Sequence, residues 1–210
     1  GFATACRENA VSLIGGETAE MPGLYNDNEY DMSGTIVGIV EKDKIIDGRN
    51  VELGNILIGF KSNGLHTNGY SLARKVLLDK FRVDEFLPEI QNTLGKELLN
   101  VHKSYLGLIE LLKNKININA FSHITGGGIL GNTKRVIPKN CSLNVNWDSW
   151  ERPAIFKLIQ SAGNINEEEM QKAFNLGIGL IAIIEQSNVS QVMELSKSFG
   201  EEAIIVGKVI

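Results

Sequence analysis

Cysteine is scarce in this sequence: only Cys6 and Cys141 occur among its 210 residues. Two cysteines without a CxxC spacing form neither a disulfide framework nor a zinc or redox motif. No apolar run approaches the roughly 18 residues of a membrane-spanning helix, and we expect no secretory leader. These absences predict a protein of the reducing cytoplasm that has no membrane partner.

An excess of positive charge is also lacking. Lys plus Arg number 21 and Asp plus Glu number 25, which gives a net charge of −4. Without a basic tract, general nucleic-acid binding is excluded, although a local anion site needs only a few donors. At about 150 residues per domain, the length predicts one to two domains. The chain begins at Gly1 within a helix-like pattern over 2–10, so we expect a fragment or a processed chain.

Glycine, in contrast, is abundant, with 22 residues. Hydrophobic periodicity between the glycine-rich turns predicts alternating helices and strands without a strict βαβ period. We therefore predict an α/β (α+β) fold with a mixed sheet and flanking helices. The predicted strands are 33–40, 56–60, 142–145, 178–184 and 203–206; the predicted helices are 2–10, 72–81, 93–113, 129–137, 153–161, 166–174 and 189–199.

Two segments share one arrangement: an apolar stretch, a histidine, small polar residues with glycines, and the start of a helix. The first reads NGLHTNG over 63–69, and the second reads HITGGG over 123–128. Such turns expose backbone N–H groups at the positive end of a helix, but one helix end stabilises an anion by only about 0.3–1 kcal/mol. We therefore expect the two loops to converge, with His66 and His123, on a phosphate-ester site that has an acid or base in reach.

Each of these features also has a plainer interpretation. Asn-Gly is a common turn, and a glycine triplet lets a helix approach a sheet closely; neither loop matches the phosphate-loop lysine pattern or GxGxxG. His102 lies in the helix predicted over 93–113, and we interpret it as a surface or packing residue. Asn175 either faces a pocket or merely accompanies a helix end at Gly177.

A third feature is the run GGETAEMPG over 15–23. A double glycine followed by carboxylates suits a Mg²⁺ ion that is also held by nucleotide phosphates. In the alternative interpretation, Thr18 caps a local turn and Glu17 and Glu20 are solvated.

Taken in order, these segments resemble one family, the aminoimidazole ribonucleotide synthetases, also called phosphoribosylformylglycinamidine cyclo-ligases. The likeness rests on 15–23, 63–71 (NGLHTNGYS), 123–128 and 174–179 (FNLGIG), and it spans the whole chain. ETAEMPG is highly specific, whereas the histidine loops alone resemble a wider ATP-dependent superfamily that includes formylglycinamidine ribonucleotide synthetase and thiamine-monophosphate kinase. Thr67 stands where the family usually has serine, which keeps the hydroxyl.

The resemblance implies ATP-dependent ring closure of formylglycinamidine ribonucleotide in purine biosynthesis. His66 and His123 would be catalytic, as acid/base or phosphate-stabilising groups, while Glu17 and Thr18 would lie near the ATP phosphates, with Glu17 as a Mg²⁺ ligand. The resemblance assigns the binding of the ribonucleotide and the transferred phosphate to Asn63, Gly64, Thr67, Asn68, Gly69, Thr125, Gly126, Gly127, Gly128 and Asn175.

The resemblance also implies a domain organisation and an oligomeric state. Residues 1–48 would be the tail of an ATP-binding domain, and 49–210 would be the family's C-terminal domain. The family's N-terminal half, with its glycine-rich segment and metal-binding aspartates, is absent here, so we expect this chain to be inactive alone and its full-length parent to form a homodimer. The alternatives are another member of the superfamily with a different substrate and a non-catalytic phosphate-binding module.

Overall fold

A computed structural model describes all 210 residues, and its contacts divide them into two compact units, 1–45 and 46–210. The first unit contains α1 (Phe2–Glu8), which confirms the predicted N-terminal helix, and a short 3₁₀ turn at 42–44. The strand predicted over 33–40 is wrong, because this segment is exposed and pairs with no strand. A strand needs a neighbour for its backbone N–H and C=O groups, and the first unit provides none.

The second unit holds the sheet and the remaining α-helices. Its strands are β1 (Ile56–Lys61), β2 (Phe86–Leu87), β3 (Asn92–Thr93), β4 (Ala120–His123), β5 (Leu143–Val145), β6 (Ile178–Ile184) and β7 (Ala203–Val209). Its α-helices are α2 (Tyr70–Leu77), α3 (Leu94–Leu98), α4 (Leu106–Lys113), α5 (Gly128–Thr133), α6 (Ala154–Gly163), α7 (Glu167–Ala173) and α8 (Val189–Ser198). None of the helices combines the length and apolar content needed to cross a membrane.

Five strands form the main sheet in the order β4-β6-β1-β7-β5, and β2 and β3 form a separate two-stranded ribbon. The α/β class with flanking helices is confirmed. All of the strand pairings are antiparallel, however, so the sheet is not the mixed one that was predicted. The continuous apolar runs of β1 and β6 are buried on both faces, a pattern that is also typical of parallel strands and does not reveal strand direction.

The register of the sheet brings the two histidine loops to one end. Both β1 and β4 run antiparallel to β6, so they run in the same direction on either side of it. At that end Lys61 pairs with Ile178, and His123 pairs with Leu180. The loops that leave β1 and β4 therefore emerge beside each other, flanking the start of β6.

Helices cover both faces of the sheet. Leu108 and Leu112 of α4 pack with Val192 of α8 on one face, in a cluster that includes Ile58 and Phe60 of β1. The other face holds a cluster that includes Leu57, Ile129 of α5 and Trp150. A third cluster joins α2, α6 and α7 around Phe156 and Phe174. The helices that follow the histidine loops, α2 and α5, are thereby anchored in apolar cores.

The helix predicted over 93–113 is interrupted. It consists of α3 and α4, which are separated by a non-helical connection at 99–105. Val101, predicted to lie on the apolar face, is 83% exposed, whereas Tyr105 is buried. Val, His, Ser and Tyr all have lower helix propensities than Leu, Glu or Lys, and they are concentrated in this connection. The break moves His102 off a helix surface.

Candidate active site

The three histidines of the chain lie side by side. The ring of His102 stacks on that of His66, with centroids 4.1 Å apart and planes at 23°. His102 also contacts the third histidine, with its Nε2 3.2 Å from His123 Nε2. His66 is buried, His102 is half-buried and His123 is exposed. The predicted convergence of His66 and His123 is thus observed, and His102, interpreted from the sequence as a surface or packing residue, is the side chain that links them.

The connection at 99–105 is fastened to the strand ends around it. Asn63 Nδ2 donates a hydrogen bond of 2.7 Å to the Val101 carbonyl oxygen, and Tyr105 Oη donates one of 2.8 Å to the carbonyl oxygen of Lys61. Lys103 Nζ forms a partly buried ion pair with Glu201, at 2.5 Å. These contacts hold His102 in place over the first loop.

The first loop has an unusual backbone conformation. His66 and Thr67 have φ values of 52° and 61°, a left-handed region that few non-glycine residues adopt. The turn is held by Asn175, which accepts hydrogen bonds from Ser62 Oγ and Gly177 N–H and donates one to the Gly64 carbonyl oxygen. Asn175 is only 2% exposed. Its predicted role in binding substrate is therefore corrected: its amide holds the loop.

Other predicted binding groups are also engaged within the protein. Asn68 joins the two loops, because its Nδ2 donates to the His66 carbonyl oxygen and its Oδ1 accepts from Gly126 N–H at 3.0 Å. The N–H groups of Gly127 and Gly128 donate to the carbonyl oxygens of Lys172 and Thr125. The glycine triplet therefore does not present these N–H groups to an anion, contrary to the sequence-based expectation.

Asn132, which the sequence analysis missed, organises the second loop from α5. Its Nδ2 donates to the carbonyl oxygens of Thr125, at 3.1 Å, and Gly128, at 2.8 Å. Its Oδ1 accepts from Thr125 Oγ1 at 2.9 Å. An asparagine in the first helical turns after a glycine triplet is the only sequence signal for this role. The predicted binding residue Thr125 is thus held by a buried amide.

The start of α2 offers the freer backbone donors. Gly69 caps this helix in a left-handed conformation, with φ at 75°, and no side chain bonds to its first turn. Helix N–H groups at such a position carry the positive end of the helix dipole. Among the predicted binding residues, Gly69 therefore lies at the backbone best suited to an anion.

Desolvation lowers the pKa of all three histidines, including that of His123, which is only partly shielded from solvent. It lowers the pKa of His66 from 6.5 to about 3, with smaller contributions from His102, His123 and Lys103. Burial lowers the pKa of His102, as does the charge of His123, and partial desolvation lowers the pKa of His123. Near pH 7 all three rings are therefore neutral, and His123 is the one that reaches solvent.

Glycine makes room for His66. A Cβ atom on Gly179 would overlap the Tyr105 hydroxyl and come within 2.9 Å of His66 Nδ1. That nitrogen is buried without a hydrogen-bond partner. Asn63 Oδ1 lies 2.5 Å from the other ring nitrogen, Nε2. The backbone N–H of Asn63 also points at Nε2, at 3.1 Å, so this one residue holds the ring through that nitrogen.

We predict that His66 makes the fold sensitive to acid. Unfolded His66 binds a proton below about pH 6.5, whereas folded His66 does so only near pH 3. The unfolded state then binds more protons between these values, so stability falls as the pH is lowered through this range. Between pH 7 and pH 5 the expected loss from His66 is about 2 kcal/mol.

Urea unfolding of wild type and His66→Asn at both pH values measures this loss. Asn tolerates a left-handed backbone and does not titrate, so the variant should lose about 2 kcal/mol less than wild type between pH 7 and pH 5. His123→Asn, the control at an exposed histidine, should reduce the loss less. Equal pH dependence in wild type and His66→Asn would contradict the buried neutral ring.

The predicted ATP and Mg²⁺ residues lie in the first unit. Glu17 and Thr18 are exposed and stand in a segment without regular secondary structure. No group of three or more His, Cys, Asp or Glu side chains is arranged to hold a metal ion. Glu17 supplies the oxygen ligand that Mg²⁺ prefers, and this ion is commonly held by one or two carboxylates together with substrate phosphates. The carboxylate of Glu17 is therefore a suitable ligand for a Mg²⁺ ion that is also bound by substrate phosphates.

Comparison with known proteins identifies relatives over the whole chain. The family described as AIR synthase related protein, C-terminal domain, matches residues 52–210. The phosphoribosylformylglycinamidine cyclo-ligase of Desulfatibacillum aliphaticivorans is 46% identical over 100% of this chain and 61% of its own length. The same-named protein of Thermodesulfovibrio yellowstonii is 45% identical over 99% of this chain and 61% of its own length. The chain thus spans about three fifths of these curated relatives.

Solved structures share the fold at low sequence identity. Thiamine-monophosphate kinase from Stenotrophomonas maltophilia K279a matches 81% of this chain and 52% of its own, with a TM-score of 0.55 and 11% identity. The E. coli hydrogenase maturation protein HypE matches 78% of this chain and 46% of its own, with a TM-score of 0.50 and 18% identity. These likenesses concern the fold alone.

Proposed function

Because the chain belongs to the AIR synthase related family, we propose that its full-length protein converts formylglycinamidine ribonucleotide to aminoimidazole ribonucleotide with the consumption of ATP. The observation that carries this proposal is the convergence of the two histidine loops, with His102 Nε2 and His123 Nε2 3.2 Å apart. The curated relatives named above share about 45% of their residues with this chain over its full length.

The proposed reaction has two steps. The formyl amide oxygen of the substrate attacks the γ-phosphorus of ATP, which releases ADP and converts a poor leaving group into a phosphate ester. An amidine nitrogen then attacks the formyl carbon. The bond between that carbon and the phosphorylated oxygen breaks, and inorganic phosphate leaves as the ring closes. Each attack releases a proton, so a base that is neutral near pH 7 assists the reaction.

The histidines have different proposed roles. His123 is the acid/base group, because its ring is exposed and neutral near pH 7. His66 is buried and hydrogen-bonded to Asn63, so it shapes the loop as a neutral ring and does not transfer protons. The start of α2, at Gly69, is proposed to hold the phosphate of the ribonucleotide or the transferred phosphoryl group.

ATP and Mg²⁺ enter the proposal through residues 1–48, which include the first unit. Residues 1–48 are proposed to be part of an ATP-binding domain, and 49–210 to form the domain that carries the histidines. Glu17 would contribute a carboxylate to Mg²⁺, which would neutralise charge on the phosphates, and Thr18 would bind the ATP phosphates. We further propose that the full-length protein is a homodimer of the cytoplasm. Sedimentation of the full-length protein would test the dimer.

Substrate-dependent ADP release tests the proposed function. The full-length protein should release ADP with formylglycinamidine ribonucleotide, and the 210-residue chain should not, because part of the ATP site is proposed to lie outside it. Release with another amide or phosphate acceptor in place of this substrate would favour a different member of the superfamily. Phosphate binding by the full-length protein without any ADP release would favour a non-catalytic module.

A further inference from the structure

We propose that His102 is a positioning residue that fixes the proton of His123 on Nε2 and leaves Nδ1 of His123 as the nitrogen that takes the substrate's proton. The proposal depends on the order of donors and acceptors along Thr67, His102 and His123, and this hydrogen-bond order is a property of the chain by itself. Its catalytic consequence rests on the proposed function.

The order begins at Thr67. A hydroxyl has one proton to donate, and Thr67 Oγ1 donates it to the carbonyl oxygen of His66 at 2.6 Å. The same oxygen lies 3.3 Å from His102 Nδ1. Because the hydroxyl proton is already used, Thr67 Oγ1 accepts in this second contact. His102 therefore carries its proton on Nδ1.

The order continues to His123. A neutral imidazole with its proton on Nδ1 has a bare Nε2 that can only accept. His102 Nε2 lies 3.2 Å from His123 Nε2, so His123 must donate from Nε2. Nδ1 of His123 is then the unprotonated nitrogen, and it belongs to an exposed side chain. The geometry thus selects one nitrogen of His123 for contact with a ligand.

Stacking on His66 keeps this arrangement from rotating. The centroids of the His102 and His66 rings are 4.1 Å apart, and the His66 ring is fixed by burial and by its bond to Asn63. When His123 takes up a proton on Nδ1, its Nε2–H still donates to His102, and that bond is strengthened by the charge. A base that is oriented by a third group in this way is a common catalytic arrangement.

Nuclear magnetic resonance of the 210-residue chain, labelled with ¹⁵N-histidine, tests the order without substrate or ATP. The chain has three histidines, so His123→Asn and His102→Phe assign the signals. Near pH 7, long-range proton–nitrogen spectra should show His102 protonated on Nδ1 and His123 on Nε2. Detection of His102 with its proton on Nε2 would overturn the proposal.

Thr67→Val removes the hydroxyl, and with it both the acceptor for His102 Nδ1 and the donor to the His66 carbonyl oxygen, but keeps a β-branched side chain. Its expected effect is loss of the single Nδ1–H form of His102, so that both His102 and His123 show mixed tautomers. Thr67→Ser, the matched control, keeps the hydroxyl and should retain the wild-type pattern. An unchanged pattern in Thr67→Val would overturn the proposal, and if that variant does not fold, the wild-type spectrum alone decides.

Kinetics of the full-length protein test the catalytic consequence of this hydrogen-bond order. Thr67→Val should lower kcat by about tenfold, a part of what a general base contributes, with Thr67→Ser close to wild type. An effect on KM alone would contradict a positioning role. If the spectra agree with the proposed order but the protein releases no ADP with formylglycinamidine ribonucleotide, only the proposed function fails.

Discussion

His123→Ala in the full-length protein is expected to lower kcat by about 100-fold or more, with little change in KM for the ribonucleotide. General acid–base catalysis contributes about 10²–10⁴-fold, and loss of a group that acts only in the transition state lowers kcat and kcat/KM together. The exposed ring makes only one hydrogen bond, to His102, so the unfolding midpoint should change little. Steady-state ADP release measures the effect.

Added imidazole separates the two histidines that the sequence analysis assigned to catalysis. The site vacated in His123→Ala is open to solvent, so imidazole should restore part of the lost kcat. His66→Ala is the matched control: its ring is 3% exposed, and imidazole should not restore activity there. Undiminished kcat/KM in His123→Ala would remove this residue from the mechanism, and rescue of His66→Ala would contradict its structural role.

Much of the second unit could be predicted because its elements have strong local patterns. The apolar runs of β1 and β6 and the amphipathic spacing in α2 and α6 lie close to their predicted positions. The convergence of His66 and His123 was predicted from a repeated motif. Strand direction was not, because a run that is buried on both faces looks the same in parallel and antiparallel sheets.

The parts that were missed depend on contacts distant in sequence. His102 joins the other histidines because the connection at 99–105 is held by Asn63, Lys61 and Glu201, and no local pattern shows those bonds. A continuous helix was predicted there because Val101 and Tyr105 share a helical spacing with neighbouring leucines. The amide of Asn175 holds a loop for the same kind of reason, since its partners lie 111 and 113 residues away.

Gly128→Ala is expected to destabilise the second unit by at least about 3 kcal/mol. Gly128 has φ at 63°, where an L side chain costs roughly 1–2 kcal/mol. A Cβ atom there would also overlap the carbonyl oxygen of Gln171 in α7, and neither backbone can move without breaking the bond from Gly127 N–H to Lys172. Urea unfolding monitored by tryptophan fluorescence measures the loss of stability. A Gly128→Ala variant that does not fold would also agree with the predicted destabilisation.

Gly131→Ala is the matched control in the same short helix. A Cβ atom on Gly131 meets nothing within 4 Å, so alanine should stabilise α5 by up to about 1 kcal/mol through its higher helix propensity. Opposite signs at two glycines three residues apart would mean that the triplet is needed for the close approach of α5 to α7. Equal changes in the free energy of unfolding for the two variants would contradict that packing.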